Sequence, residues 1–291
     1  MTAYNSATQY IRGIEIDKLA KGFADEQNVF KQFITVSTTG AREIRWYQKT
    51  SGFLDSTDTT AITASQIANV SFGSRPVVVE QSWTRNSSYI RKYFVESPWL
   101  SEEDIKDCDI DILGTNVRDL VRAVERQVDA RIYNQLSTAT GVQTAAATAD
   151  GWDDAATGNP ILDILNAKQL IRTYGYNPEG AVLAINPIEH KNLINYLITV
   201  KGSSIPAFAS QKIESGVVME ILGLKVVVSE NCTTDQALIF CREAATWKSF
   251  TPITTAIVED MGIGKKIRVW EEGEILVHDP KACFLITDTV V

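Results

Sequence analysis

The sequence has few of the residues on which active sites and membrane anchors depend. Its 291 residues include two histidines and four cysteines, and no long uncharged apolar stretch occurs. A membrane-spanning helix needs about 20 consecutive apolar residues, and a secretory signal needs an apolar core behind a basic start. The sequence therefore predicts neither of them.

The cysteines form no C-x-x-C pair. Their wide spacing argues against a structural zinc site and against a disulfide framework, and it favours reduced thiols in the core. They are Cys108, Cys232, Cys241 and Cys283.

The chain also lacks an excess of positive charge. It has 28 Lys and Arg residues against 36 Asp and Glu residues, which gives a formal net charge of -8. Proteins that grip phosphates need clustered basic residues, so we do not expect sequence-specific binding of nucleic acid. The hydrophobic fraction of 44% is enough for a large core, and the length suggests about two domains.

Side chains that could form an active site are not grouped. His190 follows a helix start at Asn186-Pro187, and His278 precedes Asp279-Pro280, so neither histidine has a nucleophile or a metal ligand beside it. We expect both to be structural or surface residues.

Three further patterns have simple structural explanations. The segment Gly262 to Lys266 lacks the spacing and the Ser or Thr of a phosphate loop and is typical of a hairpin turn. The pairs Asp153-Asp154 and Glu271-Glu272 would point to opposite faces of a strand, so we expect solvated or salt-bridged charges. The six tryptophans are scattered, which favours packing roles: Trp46, Trp83, Trp99, Trp152, Trp247 and Trp270. The sequence thus predicts no catalytic, cofactor-binding or metal-binding residue, and no enzyme.

The first hundred residues lack a core of their own. Residues 1–40, with one weak helical stretch from Ile16 to Phe23, are expected to form an arm that packs on another surface. From Ala41 the chain alternates, with Ile44 and Trp46 on one side. A polar run, Thr50 to Ser65, then leads to a second extended section up to Val95. Two strands with a long polar tip form a hairpin that needs a neighbour, since isolated ribbons are marginal in water.

A long amphipathic helix is the strongest periodic signal. Apolar residues recur at three- and four-residue steps from Asp109 to Leu136, over about 40 Å at ~1.5 Å per residue. They are Leu113, Val117, Leu120, Val121, Val124, Val128, Ile132 and Leu136.

An alternating block and a set of long strands follow this helix. A helix after Pro160, a strand Ala181 to Ile185, a helix Ile188 to Leu197 and three short strands predict an α/β unit. The end of the chain predicts extended strands, with Lys266 to Glu272 and Glu274 to His278 as separate strands.

This order of elements resembles that of the Hong Kong 97-type capsid fold, which tailed-bacteriophage major capsid proteins and encapsulins share. The amino-acid sequences of five segments are also similar to parts of that fold. DLVRAVERQVDARIYNQ, from Asp119, is similar to the spine helix of that family. NPEGAVLAINPIEHKNLINYL, ILGLKVVVSEN and ALIFCREAATW, from Asn177, Ile221 and Ala237, are similar to its axial domain. IRVWEEGEILVHDPKACFLIT, from Ile267, resembles its closing strands.

The resemblance implies an α+β fold in four parts. These are an N-terminal arm (1–40), an extended β-hairpin loop (41–98), a discontinuous peripheral domain with the spine helix (99–150 and 251–291), and an α/β axial domain (151–250). Such a fold places the two domains out of sequence order, unlike the consecutive pair that the length suggests.

The implied function is that of a major capsid protein in a bacteriophage virion. Pentamers and hexamers would self-assemble into an icosahedral capsid around phage DNA, without sequence-specific binding. A separate scaffolding protein, a portal and a decoration protein are the implied partners, and assembly would take place in the host cytoplasm. Two alternatives remain open: an encapsulin shell, which holds cargo enzymes, and an α/β enzyme with an unrecognised site.

Overall fold

The computed structural model describes residues 30–49, 71–75, 83–107, 112–148, 151–154, 157–199 and 220–290. The predicted helix Ile16 to Phe23, the hairpin tip Thr50 to Ser65 and Cys108 lie outside these residues. Within them the helices are α1 Glu102–Asp107, α2 Ile112–Thr138, α3 Pro160–Thr173 and α4 Pro187–Thr199. The strands are β1 Thr35–Thr38, β2 Glu43–Lys49, β3 Trp83–Tyr89, β4 Arg91–Glu96, β5 Leu100–Ser101, β6 Gln143–Ala146, β7 Val182–Ile185, β8 Glu220–Ile221, β9 Leu224–Val228, β10 Gln236–Phe240, β11 Ala245–Asp260, β12 Gly264–Val277 and β13 Cys283–Thr287.

Three sheets organise the described residues. The first has the order β1-β11-β12-β4, with β5 also paired to β12. The second has the order β6-β13-β10-β7-β9-β8, and the third is the two-stranded ribbon β2-β3. The mixed helix and sheet class is therefore as predicted.

The long helix lies where its periodicity predicts and buries the predicted stripe. In its first half Val117, Val121 and Val124 pack with Ile267 and Val269 of β12. Its second half enters the larger core through Val128, Ile132 and Leu136. Most of its apolar side chains are thus removed from water, and this burial holds α2 against the sheets.

Local capping explains where the two shorter helices begin. Asn159 caps α3, because its side-chain oxygen accepts a hydrogen bond from the Leu162 amide at 3.2 Å, and Pro160 opens the helix. Asn186 does the same for α4, accepting from the Ile188 amide at 3.1 Å. The predicted helix start at Asn186-Pro187 is confirmed.

One prediction about the closing strands is wrong. Lys266 to Glu272 and Glu274 to His278 form a single strand, β12, that continues through Gly273. Gly273 stays in register with Ser249 on one side and Arg91 on the other. It does not interrupt the strand, because its missing side chain leaves the space that Trp247 occupies.

The strands of the second sheet come from distant parts of the chain. Strand β13 lies between β6 and β10, and it pairs in parallel with β6 and antiparallel with β10. The expected four-part division groups β6 and β13 with the peripheral domain, whereas their hydrogen bonds lie in the sheet of the axial segment. The division itself remains a prediction.

Candidate assembly surfaces

The ribbon β2-β3 has an inner face that touches the rest of the chain. The Trp46 Nε1–H donates to the Val277 carbonyl at 3.0 Å, and the Gln48 amide donates to the Thr140 carbonyl at 3.1 Å. The Asn86 amide in turn donates to Gln48 Oε1 at 2.8 Å. A cleft of about 670 Å³ runs beneath these side chains. The ribbon is therefore held by a few polar contacts over an incompletely filled space.

The outer face of the ribbon presents aromatic and charged side chains to water. Tyr47, Trp83 and Tyr89 are 64%, 55% and 68% exposed. Register places Tyr47 opposite Arg85, and Glu43 opposite Tyr89, on this one face. The Arg45 guanidinium hydrogen-bonds Glu43 at 2.7 Å and lowers the pKa of that carboxyl. Aromatic residues and Arg are enriched in protein interfaces, so this face is suited to contact with another protein.

The tip of the β11-β12 hairpin is a second apolar surface. Met261 is 98% exposed and Ile263 is 58% exposed, on either side of Gly262, whose φ is +76°. The prediction of a hairpin turn at this point is confirmed. Sequence reasoning noticed the turn but missed its exposed side chains, although two large apolar residues flanking a turn glycine were a usable signal.

The acidic pair Glu271-Glu272 is buried and salt-bridged, together with Glu274. Glu271 pairs with Lys31, and Glu272 pairs with Lys92 at 3.5 Å. Glu274 meets Arg131 at 2.9 Å and Arg91 at 3.0 Å. Of the two expectations for this pair, salt bridges are confirmed and full solvation is wrong, because cations from α2, β4 and residue 31 converge on β12.

The other acidic pair lies near the surface. Asp153 is exposed, and an Asp154 oxygen accepts from the Thr157 hydroxyl at 2.9 Å. These carboxyls serve the local turn between the second sheet and α3.

The two histidines lie in different parts of the fold. His190 is on α4, and burial lowers its pKa. His278 follows β12 and meets the Thr246 hydroxyl at 3.0 Å, and burial again lowers its pKa. The described structure thus does not bring the two histidines together in one site.

The described cysteines are core thiols, as expected. Cys232, Cys241 and Cys283 are free and buried. Burial raises the pKa of Cys232 to about 12 and that of Cys241 to about 11, so both are protonated at neutral pH. Such thiols are poor nucleophiles and poor metal ligands.

The tryptophans have packing and surface positions. Trp152 and Trp247 are buried, whereas Trp46 and Trp270 are half-buried. Trp99 is partly exposed, with the Lys266 ammonium 4.7 Å from its ring centroid. The exposed indoles are therefore spread over the surface.

The described ranges show neither a metal-ligand cluster nor a membrane-spanning helix. Within them no three His, Cys, Asp or Glu side chains are grouped so that they could hold a metal ion. None of the helices there is both long enough and apolar enough to cross a bilayer. A cleft of about 1100 Å³ between α2 and β4 is lined in its described part by neither histidine nor cysteine.

Solved structures with the same fold come from phages and from related particles. A structure titled Mycobacterium phage Che8 matches with a TM-score of 0.66 and 16% identity, over 91% of this chain and 93% of that chain. The virus-like particle from Pyrococcus furiosus matches with a TM-score of 0.63 and 13% identity, over 94% and 100%. The capsid of the native GTA particle matches with a TM-score of 0.59 and 12% identity, over 99% and 95%.

Comparison with family models identifies the family of the chain. No curated protein matches the chain. The family model described as "Phage capsid protein" matches residues 99–286, well over half of the sequence. That range contains α2, the β11-β12 hairpin and the second sheet except Thr287, the last residue of β13. The chain therefore belongs to the phage capsid protein family and is a structural capsid protein.

Proposed function

We propose that copies of this chain assemble as pentamers and hexamers into an icosahedral shell that encloses phage DNA. The observation that carries the proposal is the outer face of the ribbon, where Tyr47, Trp83 and Tyr89 are exposed together. An isolated two-stranded ribbon is marginal in water, and a partner subunit would cover this face. If this face binds a different surface of the neighbouring subunit, the interface is heterologous, and repeating it around a rotation axis closes a ring.

The four-part division supplies the parts of such a subunit. The ribbon belongs to the extended loop 41–98, and α2 with the β11-β12 hairpin belongs to the peripheral parts 99–150 and 251–291. The segment 151–250 is the axial domain, and 1–40 is the arm. The contact of α2 with Ile267 and Val269 supports grouping the two peripheral parts.

We infer that the shell holds DNA through its enclosed volume. The net charge of -8 gives no support to tight binding of phosphates,. Scaffolding, portal and decoration proteins would be separate chains. Assembly would occur in the host cytoplasm, and the finished capsid would be part of the virion. The role is that of a building subunit without catalysis, which the separated histidines and protonated thiols support.

Particle formation tests the proposal. Purified protein, alone and with a co-expressed scaffolding protein, is followed by light scattering and electron microscopy over a range of salt. We expect closed particles, or rings of five and six subunits. A compact monomer under every condition would overturn the proposal.

The encapsulin alternative implies the same fold, and the chain is similar both to phage structures and to a virus-like particle from Pyrococcus furiosus. Particles isolated from infected cells are treated with nuclease and their contents analysed. Protected DNA of genome length supports the phage capsid, whereas a packaged enzyme supports the encapsulin.

A further inference from the structure

A short strap, residues Phe30–Thr39, crosses from the second sheet to the first. Phe30 is fully buried, with its ring 6.0 Å from Tyr133 of α2 and 6.4 Å from Phe240 of β10. Its amide donates to Asp129 Oδ1 at 3.3 Å. At the other end, the Thr39 amide donates to the Ser249 carbonyl of β11 at 2.9 Å. The strap thus joins α2 and both large sheets.

An ion pair at the start of the strap reaches a buried strand. The Lys31 ammonium hydrogen-bonds Glu271 Oε1, and it lies 5.6 Å from the ring centroid of Trp247. Glu271 is 0% exposed, and its second oxygen has no hydrogen-bond partner among the described residues. A buried carboxylate left without its cation is strongly unfavourable, so Glu271 depends on Lys31.

The remainder of the strap is weakly held. Strand β1 has four residues, pairs in parallel with Thr246–Ser249, and is mostly exposed, with Val36 50% accessible. Of its apolar side chains, Phe30 and Ile34 are buried, and Phe33 is partly buried against the same core. Segments with few buried contacts open locally at a lower free energy than the core.

We propose that the strap is a releasable clamp between the two large sheets, with the Lys31–Glu271 pair as its catch. It opens as one unit, because Phe30 contacts α2 and β10 while the adjacent Lys31 contacts β12 at the same end of the strap. Opening uncovers Phe240 and admits water to Glu271, so the two sheets lose a shared support.

Native-state hydrogen exchange on the full chain, in its soluble form, tests the clamp without any substitution. The amides of Phe30 and Thr39 should give one common opening free energy, with protection factors that agree and are about tenfold or more lower than those of the amides of β10. Unequal protection at the two ends would show that no unit exists. Protection equal to that of β10 would show that the strap opens only on global unfolding, and either result overturns the proposal.

Two variants then test the catch. Lys31→Met should accelerate exchange at Phe30 and Thr39 about tenfold while β10 keeps its protection. The double variant Lys31→Met with Glu271→Met removes the stranded charge and should restore the rate to within a few-fold of the parent. Arg45→Met, which breaks an exposed pair with Glu43, is the matched control and should leave the strap unchanged.

Three outcomes count against the catch. They are an unchanged rate in Lys31→Met, a double variant that exchanges as fast as the single one, and loss of β10 protection in Lys31→Met. The last would make the ion pair part of the global fold and not of a releasable clamp.

Discussion

Gly273 lies against the indole of Trp247 so closely that a Cβ added to Gly273 would be 2.3 Å from Trp247 Cζ2. Trp247 is fully buried in β11, and β12 runs past it through a residue with no side chain. The pairing of the two strands and the size of the indole thus require glycine at this position.

The variant Gly273→Ala should be destabilised. In most strands alanine is the better residue, but here the methyl group must displace a buried ring, which costs about 1 to 3 kcal/mol. Gly40→Ala is the control, since a Cβ at Gly40 meets nothing within 4 Å. Thermal melting of both variants measures the difference. Equal melting temperatures would show that Trp247 moves aside freely.

Val124→Asp should prevent folding. Val124 is 3% exposed between α2 and β12, so an aspartate there places a carboxylate in an apolar layer at a cost of several kcal/mol,. Arg122→Ala, on the polar side of α2, should leave the fold intact. Soluble yield and thermal melting beside the parent decide the matter. A Val124→Asp variant that melts like the parent would contradict the packing of α2.

Glu189→Gln should change how stability depends on pH. Burial raises the pKa of Glu189, so the folded state binds its proton more tightly than the unfolded state. The contribution of Glu189 to the free energy of unfolding is therefore largest below the ordinary glutamate pKa. It is lost as the pH rises through the raised pKa of the folded state. Glutamine carries no such proton and can still accept from the Asp235 amide, at 2.7 Å in the parent. We expect the stability of the variant to increase relative to the parent across that window.

Glu96→Gln serves as the comparison, because its effect on stability should change with pH in the opposite direction. Lys266 and Arg268 hydrogen-bond Glu96 and lower its pKa. Its contribution is present above the ordinary pKa and is lost as pH falls through the lowered one. Melting curves from pH 3 to 8 of both variants follow the two trends. If the stability difference between variant and parent changes with pH in the same direction for both glutamates, burial does not raise the pKa of Glu189.

Substitutions on the outer face of the ribbon should separate assembly from folding. Tyr47→Ser with Trp83→Ser removes two exposed rings and no core contact, so the melting temperature of the unassembled subunit should change little,. Particle yield should fall severalfold, because large aromatic residues dominate interface energy. Ser87→Ala on the same face is the control. Normal particle yield from the double variant would remove the ribbon from the assembly surface.

The elements predicted best from the sequence are those with local signals. The stripe through Val117 and Val124 gave the long helix within a few residues at each end, and Asn186 gave the start of α4. Alternation alone placed Ile44 and Trp46 on one face of β2. In each case the determining contacts lie within one element or its cap.

The features that were missed depend on residues far apart in the chain. For Glu271 and Glu272 the sequence left solvation and salt bridges as alternatives, because charges normally remain near water. The sequence around them does not identify Lys31 as a partner. The parallel pairing of β6 with β13 has no local signature either. Gly273 was taken as the end of a strand because the ring that requires it, Trp247, is also a distant residue.

The anchoring of Lys31 on Glu271 has a consequence for synthesis of the chain. Their positions differ by 240 residues. At ~5 to 20 residues per second, a ribosome needs about 12 s or more to reach the partner. Lys31 and its neighbours are synthesised early but are therefore among the last residues to form their native contacts. During that interval Lys31 stays hydrated and Phe30 remains exposed to the cell's chaperones.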